Sequence, residues 1–197
     1  MDMTYALSFT RFAVHGDQLK EVQSAVARPY RNDSRVDEAM HALLLFEDGR
    51  DGHLVQSRVY TDMARRWAIP RVLPRVWELP SIEVETDRAL VYFYNAMMPH
   101  LYHYIAVTDK ATGQTTYRKQ YRGGPCWGEA WTTGGKGGKE YWSTYRYQLE
   151  AFTEMVRGKT VPYWISGEDS IAQMETIDAI YRAAGLPVRP STSVQKS

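Results

Sequence analysis

Apolar residues recur along this chain at two spacings, and the expected element changes where the spacing changes. Near the start, Tyr5, Phe9 and Phe12, with Ala6 and Ala13 beside them, fall on one helical face, with Asp2 in the capping position before them and Gly16 after. Residues 21–30, EVQSAVARPY, alternate as a strand does. Residues 36–60 read as a hairpin turning within 48–52. After an Arg-, Pro- and Trp-rich loop over 65–80, the runs SIEVET and RALVYFYNA are separated by Asp87 and Arg88. HLYHYIAVTD then turns within 110–114 and returns as TTYRKQY. Roughly seven strands in an antiparallel meander are expected.

Helical spacing returns after the glycine-rich stretch 123–140. Tyr145, Leu149, Phe152 and Val156 make one stripe closed by Gly158. A second helix opens at Ser166 with Asp169 three residues on, carries Ile171, Met174, Ile177 and Tyr181, and stops at Gly185 before Pro187. Helix, strand block and helices are segregated, which predicts an α+β fold: an open, largely antiparallel sheet with helices packed on one face. No βαβ alternation occurs, so this chain cannot supply a doubly wound nucleotide-binding sheet.

With 197 residues, a single α+β domain over 1–189 and a flexible tail over 190–197 are expected. The formal net charge of +1 gives no bulk field for nucleic acid, so nucleic acid is excluded as a partner. The lone Cys126 cannot form an intrachain disulfide, which suits a cytoplasmic protein. No stretch approaches the ~18 apolar residues of a membrane span, and the start lacks the basic region and cleavage site of a signal peptide, so no membrane role is expected. Fourteen Tyr and six Trp are the unusual part of the composition, and they suit a core, a pocket or a subunit interface.

The glycine-rich stretch fails as a phosphate loop: Ala130 stands where Gly135-Lys136 would need glycine, and Thr133 does the same for Gly138-Lys139. A flexible lid or a plain surface loop is the better reading, and Trp127 and Trp131 tilt it to the lid. His100 and His103 look like a metal pair, yet a strand would send them to opposite faces, and there is no HExxH or CxxC, so no metal is expected. No GxSxG elbow occurs, and Cys126 has no neighbouring base in sequence. The row Tyr92, Tyr94, Tyr102, Tyr104, Tyr117 and Tyr121 has the period of a sheet face. It reads equally as half-buried packing and as the wall of an apolar pocket.

The last third, EYWSTYRYQLEAFTEMVRGK through WISGEDSIAQMETIDAIYRAAGLPVRPS, closely resembles the C-terminal end of the glucose-fructose oxidoreductase and inositol dehydrogenase family. The opening is similar to that family's D-x-G-x-Y segment, and TYALSFTRF most resembles its dihydrodiol dehydrogenase branch, which has Tyr where other members have His. The resemblance implies a substrate-side α+β domain normally preceded by a Rossmann domain that holds NAD(P) and a lysine of an E-K-P motif. Tyr5 is the one member of that catalytic pair carried over. The pattern departs beside it, with Met3 at the glycine position and Met1 at the aspartate position.

Without the Rossmann half, hydride transfer has no cofactor, and none is expected here. The expected function is a cofactor-free enzyme repurposed from a dehydrogenase substrate domain, promoting isomerisation, elimination or cyclisation of a hydrophobic small molecule in biosynthesis, a pericyclic ring closure being one form. Tyr5, His103 and Tyr102 are the candidate catalytic groups; Arg11, Arg65, Tyr92, Tyr94, Trp127, Trp142 and Tyr145 are the candidate substrate contacts. A homodimer through the sheet is expected. The rivals are a truncated half of an NAD(P)-dependent dihydrodiol or sugar dehydrogenase and a non-catalytic dimeric binding module.

Overall fold

The computed structural model describes residues 2–15, 18–65, 69–70, 72–73, 79–119, 121, 138, 141–161 and 164–188. The elements run α1 (Asp2–Val14), β1 (Leu19–Tyr30), β2 (Asp33–Glu47), β3 (Leu54–Asp62), β4 (Ile82–Glu85), β5 (Ala89–Tyr94), β6 (Tyr104–Asp109), β7 (Thr115–Arg118), α2 (Thr144–Val156) and α3 (Gly167–Ala183). The fold is α+β, and among the described residues every strand pairing is antiparallel. The strands form two sheets, β1-β2-β3 and β4-β5-β6-β7. The chain makes two compact units, one spanning 1–74 with 165–197 and one spanning 75–164.

In the first unit, β2 supplies Met40, Ala42, Leu44 and Phe46, alternate residues that share one face. Met3, Leu7 and Val14 of α1 and Ile180 of α3 pack on that face, and Leu7, Leu44, Phe46 and Ile180 are fully buried. Each such side chain contributes about 1.5–3 kcal/mol through burial. The apolar residues of β1 do not alternate strictly: Leu19, Val22, Ala25 and Ala27 are spaced three, three and two apart. Irregularities between Leu19 and Glu21 and between Val22 and Ser24 shift the register against β2, so that all four join one core.

The helix ends follow local chemistry. Ser166 Oγ accepts from the Asp169 N–H at 3.0 Å, capping α3. At the other end Gly185, with φ +73°, donates to the Arg182 carbonyl while Leu186 N–H donates to Tyr181 O, a Schellman closure; α2 ends the same way at Gly158. α1 departs from expectation at both ends. Asp2 is its first residue rather than the residue before it, and the left-handed residue after it is His15, with φ +49°. Imidazole side chains are among those that tolerate this region.

Candidate functional site

In the second unit, alternation along β5 sends Tyr92 and Tyr94 to one side and Val91 and Phe93 to the other. Register then sets Tyr94 opposite Tyr104 and Tyr92 opposite Ala106, with Tyr117 of β7 on the far side of Ala106. The result is a tyrosine face. Tyr94 and Tyr104 stack with centroids 5.1 Å apart and planes 13° apart. Tyr92, Tyr102 and Tyr117 surround Tyr104 at 6.1, 6.4 and 5.9 Å. These separations are in the range where aromatic pairs add attraction beyond area burial. Loss of water and the neighbouring phenols together raise the Tyr104 pKa above its ordinary value.

Tyr102 lies outside β6 and is brought to this face by Asn95. That side chain is 2% exposed and its amide donates to the carbonyls of Met98 at 2.9 Å and Tyr102 at 2.7 Å. The Met98 N–H donates back to Asn95 Oδ1 at 3.3 Å, and Asn95 has φ +56°. Asn95 thus ties together the turn preceding β6. Reading the sequence missed it; the one available signal was an Asn between an aromatic strand and a Pro-containing turn.

His103 points the other way. It is 8% exposed, and its Nδ1 lies 2.8 Å from the Pro99 carbonyl oxygen, which can only accept, so Nδ1 is the donor. Its ring packs on Phe93 and Tyr121. Tyr121 in turn meets Tyr147, which meets Trp142, and the Tyr121 hydroxyl donates to Trp142 O at 2.8 Å. Burial, with the nearby Tyr147 phenol, pushes the Tyr121 pKa up to about 12.

His100 and His103 were expected on opposite faces, yet both rings lie against Tyr121, at 6.5 and 6.0 Å, because His100 belongs to the turn and not to the strand. Among the described residues no group of three or more His, Cys, Asp or Glu could hold a metal ion. Of the glycine-rich stretch only Gly138 is described, and a Cβ there would stand 2.2 Å from a Tyr147 ring carbon. The proposed lid and its Trp127 and Trp131 lie outside the described residues.

The candidate residues therefore fall in several places. Tyr92, Tyr94 and Tyr102 share the tyrosine face; His103 and Trp142 belong to the cluster behind it. Tyr145 is exposed on α2, and the Trp142 ring carries the Arg146 guanidinium at 5.0 Å. Tyr5, Arg11 and Arg65 belong to the first unit. Tyr5 is 41% exposed on α1, and Arg65 is exposed just after β3. Arg11 is buried, with Nη1 and Nη2 on the Asp169 carbonyl and carboxylate, so its charge is engaged within the fold.

No known protein family and no curated protein matches the sequence. The fold is similar to that of an oxidoreductase from Sinorhizobium meliloti, with a TM-score of 0.61 and 15% sequence identity over 92% of this chain and 48% of that one. The chain thus spans about half the length of that oxidoreductase. At this identity the likeness is one of fold. Among the described residues no helix is long and apolar enough to cross a membrane.

Proposed function

We propose that the tyrosine face of β4–β7 holds a hydrophobic, ring-bearing small molecule and that the chain promotes its isomerisation, elimination or cyclisation without a cofactor. The observation that carries this reading is the set of five adjoining tyrosine rings on one face. Reactions of this class need a held conformer and a few donors to polarise it. Tyr94 and Tyr104 form the platform, Tyr92 is its wall, and Tyr102, 54% exposed, is the donor. His103 sits behind the sheet and steadies the turn that carries Tyr102. The test is a titration of the protein with neutral cyclic hydrocarbons and phenols, read by quenching of tyrosine fluorescence, followed by assays for product. Saturable binding that is lost in Tyr94→Ala and Tyr104→Ala supports the reading. Failure of every such ligand to saturate overturns it.

A second reading, compatible with the length relation to the Sinorhizobium meliloti oxidoreductase, is that the chain is the substrate-side half of an NAD(P)-dependent dehydrogenase. An in-frame G-x-G-x-x-G and E-K-P upstream in the genome would decide for it. In either reading the homodimer is assigned to the open face of β1–β3, where Val26 and Tyr60 are 66% and 52% exposed, and light scattering tests it.

A further inference from the structure

The four-stranded sheet ends in two strands of opposite charge. Its order is β4-β5-β6-β7, so among the described residues β4 and β7 each have one side with no strand beside it. On β4, Glu83 and Glu85 are exposed. β7 is exposed throughout and is followed by Lys119. Glu85 is paired with Lys110 at 2.7 Å. Among the described residues Glu83 and Lys119 form no ion pair, and the Lys119 ammonium stands 4.6 Å from the centre of the Tyr102 ring. One edge thus carries an unneutralised acid and the other an unneutralised base.

The backbones of the two edges face outward at matching positions. Alternate residues of an antiparallel strand turn N–H and C=O first to one neighbour and then to the other. Asp109 N–H donates to Gln114 O at 2.9 Å, so by register Thr116 and Arg118 bond inward to β6, and Thr115 and Tyr117 face out. Thr86 N–H donates to Ala89 O at 2.9 Å, so Ile82 and Val84 bond inward to β5, and Glu83 and Glu85 face out. The side chains of these outward residues all lie on the tyrosine face, because Glu83, Tyr92, Ala106 and Tyr117 form one row and Glu85, Leu90, Thr108 and Thr115 the next. Three antiparallel pairings separate β4 from β7, so the two run in opposite directions.

β7 of one copy therefore fits β4 of another as an antiparallel neighbour, with Tyr117 opposite Glu83 and Thr115 opposite Glu85. All four residues of each strand are then covered. Lys119 becomes the diagonal neighbour of Glu83, within reach of a long side chain. Like edges match less well. β4 against β4 sets acid against acid, and β7 against β7 gives Arg118 and Lys119 no acid to face. Charge on a sheet edge ordinarily keeps edges apart, and one sign on both edges would do so here; opposite signs draw unlike edges together.

We infer that this chain binds a second copy of itself through β7 of one and β4 of the next. The contact is head-to-tail, so each addition leaves a new edge free. Two four-residue strands bury much less than the ~800 Å² per partner of a stable interface, so the contact is weak and is read at high protein concentration. It rests on the sheet edges alone and is independent of the ligand reading of the tyrosine face.

Sedimentation velocity of the full chain over rising concentration should show association that weakens as salt is raised. Glu83→Lys makes both edges basic and Lys119→Glu makes both acidic. Each variant alone should associate about tenfold more weakly, and an equimolar mixture of the two should regain the association. Thr115→Pro removes an outward N–H at the start of an edge strand, where proline is tolerated, and should block association while circular dichroism stays unchanged. A contact through β1–β3 is common to all these proteins and sets the same baseline in each. Wild-type protein that stops at that baseline, or a mixture no more associated than its separate components, overturns the inference.

Discussion

Arg11 of α1 grips Asp169 of α3 with both terminal nitrogens, Nη1 on the backbone carbonyl and Nη2 on Oδ1, each at 2.8 Å. The pair joins the first helix to the first turn of the last one, next to the Ser166 cap. Arg11→Ala should cost about 2–3 kcal/mol, since it removes charge-assisted bonds and leaves Asp169, 32% exposed at its side chain, only partly hydrated. Arg11→Lys should fall in between, because an ammonium cannot reproduce the two-pronged contact. Urea unfolding measures both. A change below about 0.5 kcal/mol for Arg11→Ala would show the contact to be incidental.

Tyr121 makes a pH prediction. Its folded pKa, pushed up to about 12, lies above the ordinary phenol value near 10, so the folded state keeps this proton longer than the unfolded chain. The contribution is fully present below about pH 10 and is lost as pH rises through about 12. Ultraviolet titration should show Tyr121 among the tyrosines that ionise late, with Tyr104 and Tyr60. In Tyr121→Phe the late part of the titration should lose one tyrosine's absorbance and the alkaline fall in stability should become shallower.

Asn95 separates a backbone effect from a side-chain effect. Asn95→Gly keeps the left-handed conformation and loses the three side-chain bonds, whereas Asn95→Ala loses both. The alanine variant should be the less stable by about 1–2 kcal/mol. Both should lower ligand binding at Tyr102, because the turn holding it is released. Chemical unfolding beside the binding titration checks the two effects; equal stability of the variants would remove the backbone argument.

Gly185→Ala should cost about 1 kcal/mol, although nothing lies within 4 Å of the added methyl, because the strain is in the left-handed backbone alone. A thermal melt is sufficient. An unchanged melting temperature would mean that the end of α3 relaxes to another closure.

Much of the fold was legible because its causes are local. The caps Ser166, Gly158 and Gly185, the alternation in ALVYFY and the hairpin turns each depend on residues a few positions apart. The tyrosine face was legible for the same reason, since the two-residue period alone puts Tyr92 and Tyr94 together. Asn95 was not, because its effect depends on a turn that returns to it. Likewise Arg11 reads from sequence as an available cation, and only the approach of a residue 158 positions away shows it engaged.

By itself, then, the sequence determined the elements, their order and the α+β class, because hydrogen bonding and side-chain period act over one turn or one hairpin. Tertiary structure decided the rest. Register irregularities in β1 brought residues of uneven spacing into one core, and the strands divided into two sheets. The turn before β6 set both histidines on Tyr121, and strand pairing set Ala106 between two tyrosines. Each of these depends on which distant segments become neighbours, and that choice is made by packing of the whole chain rather than by any local run of residues.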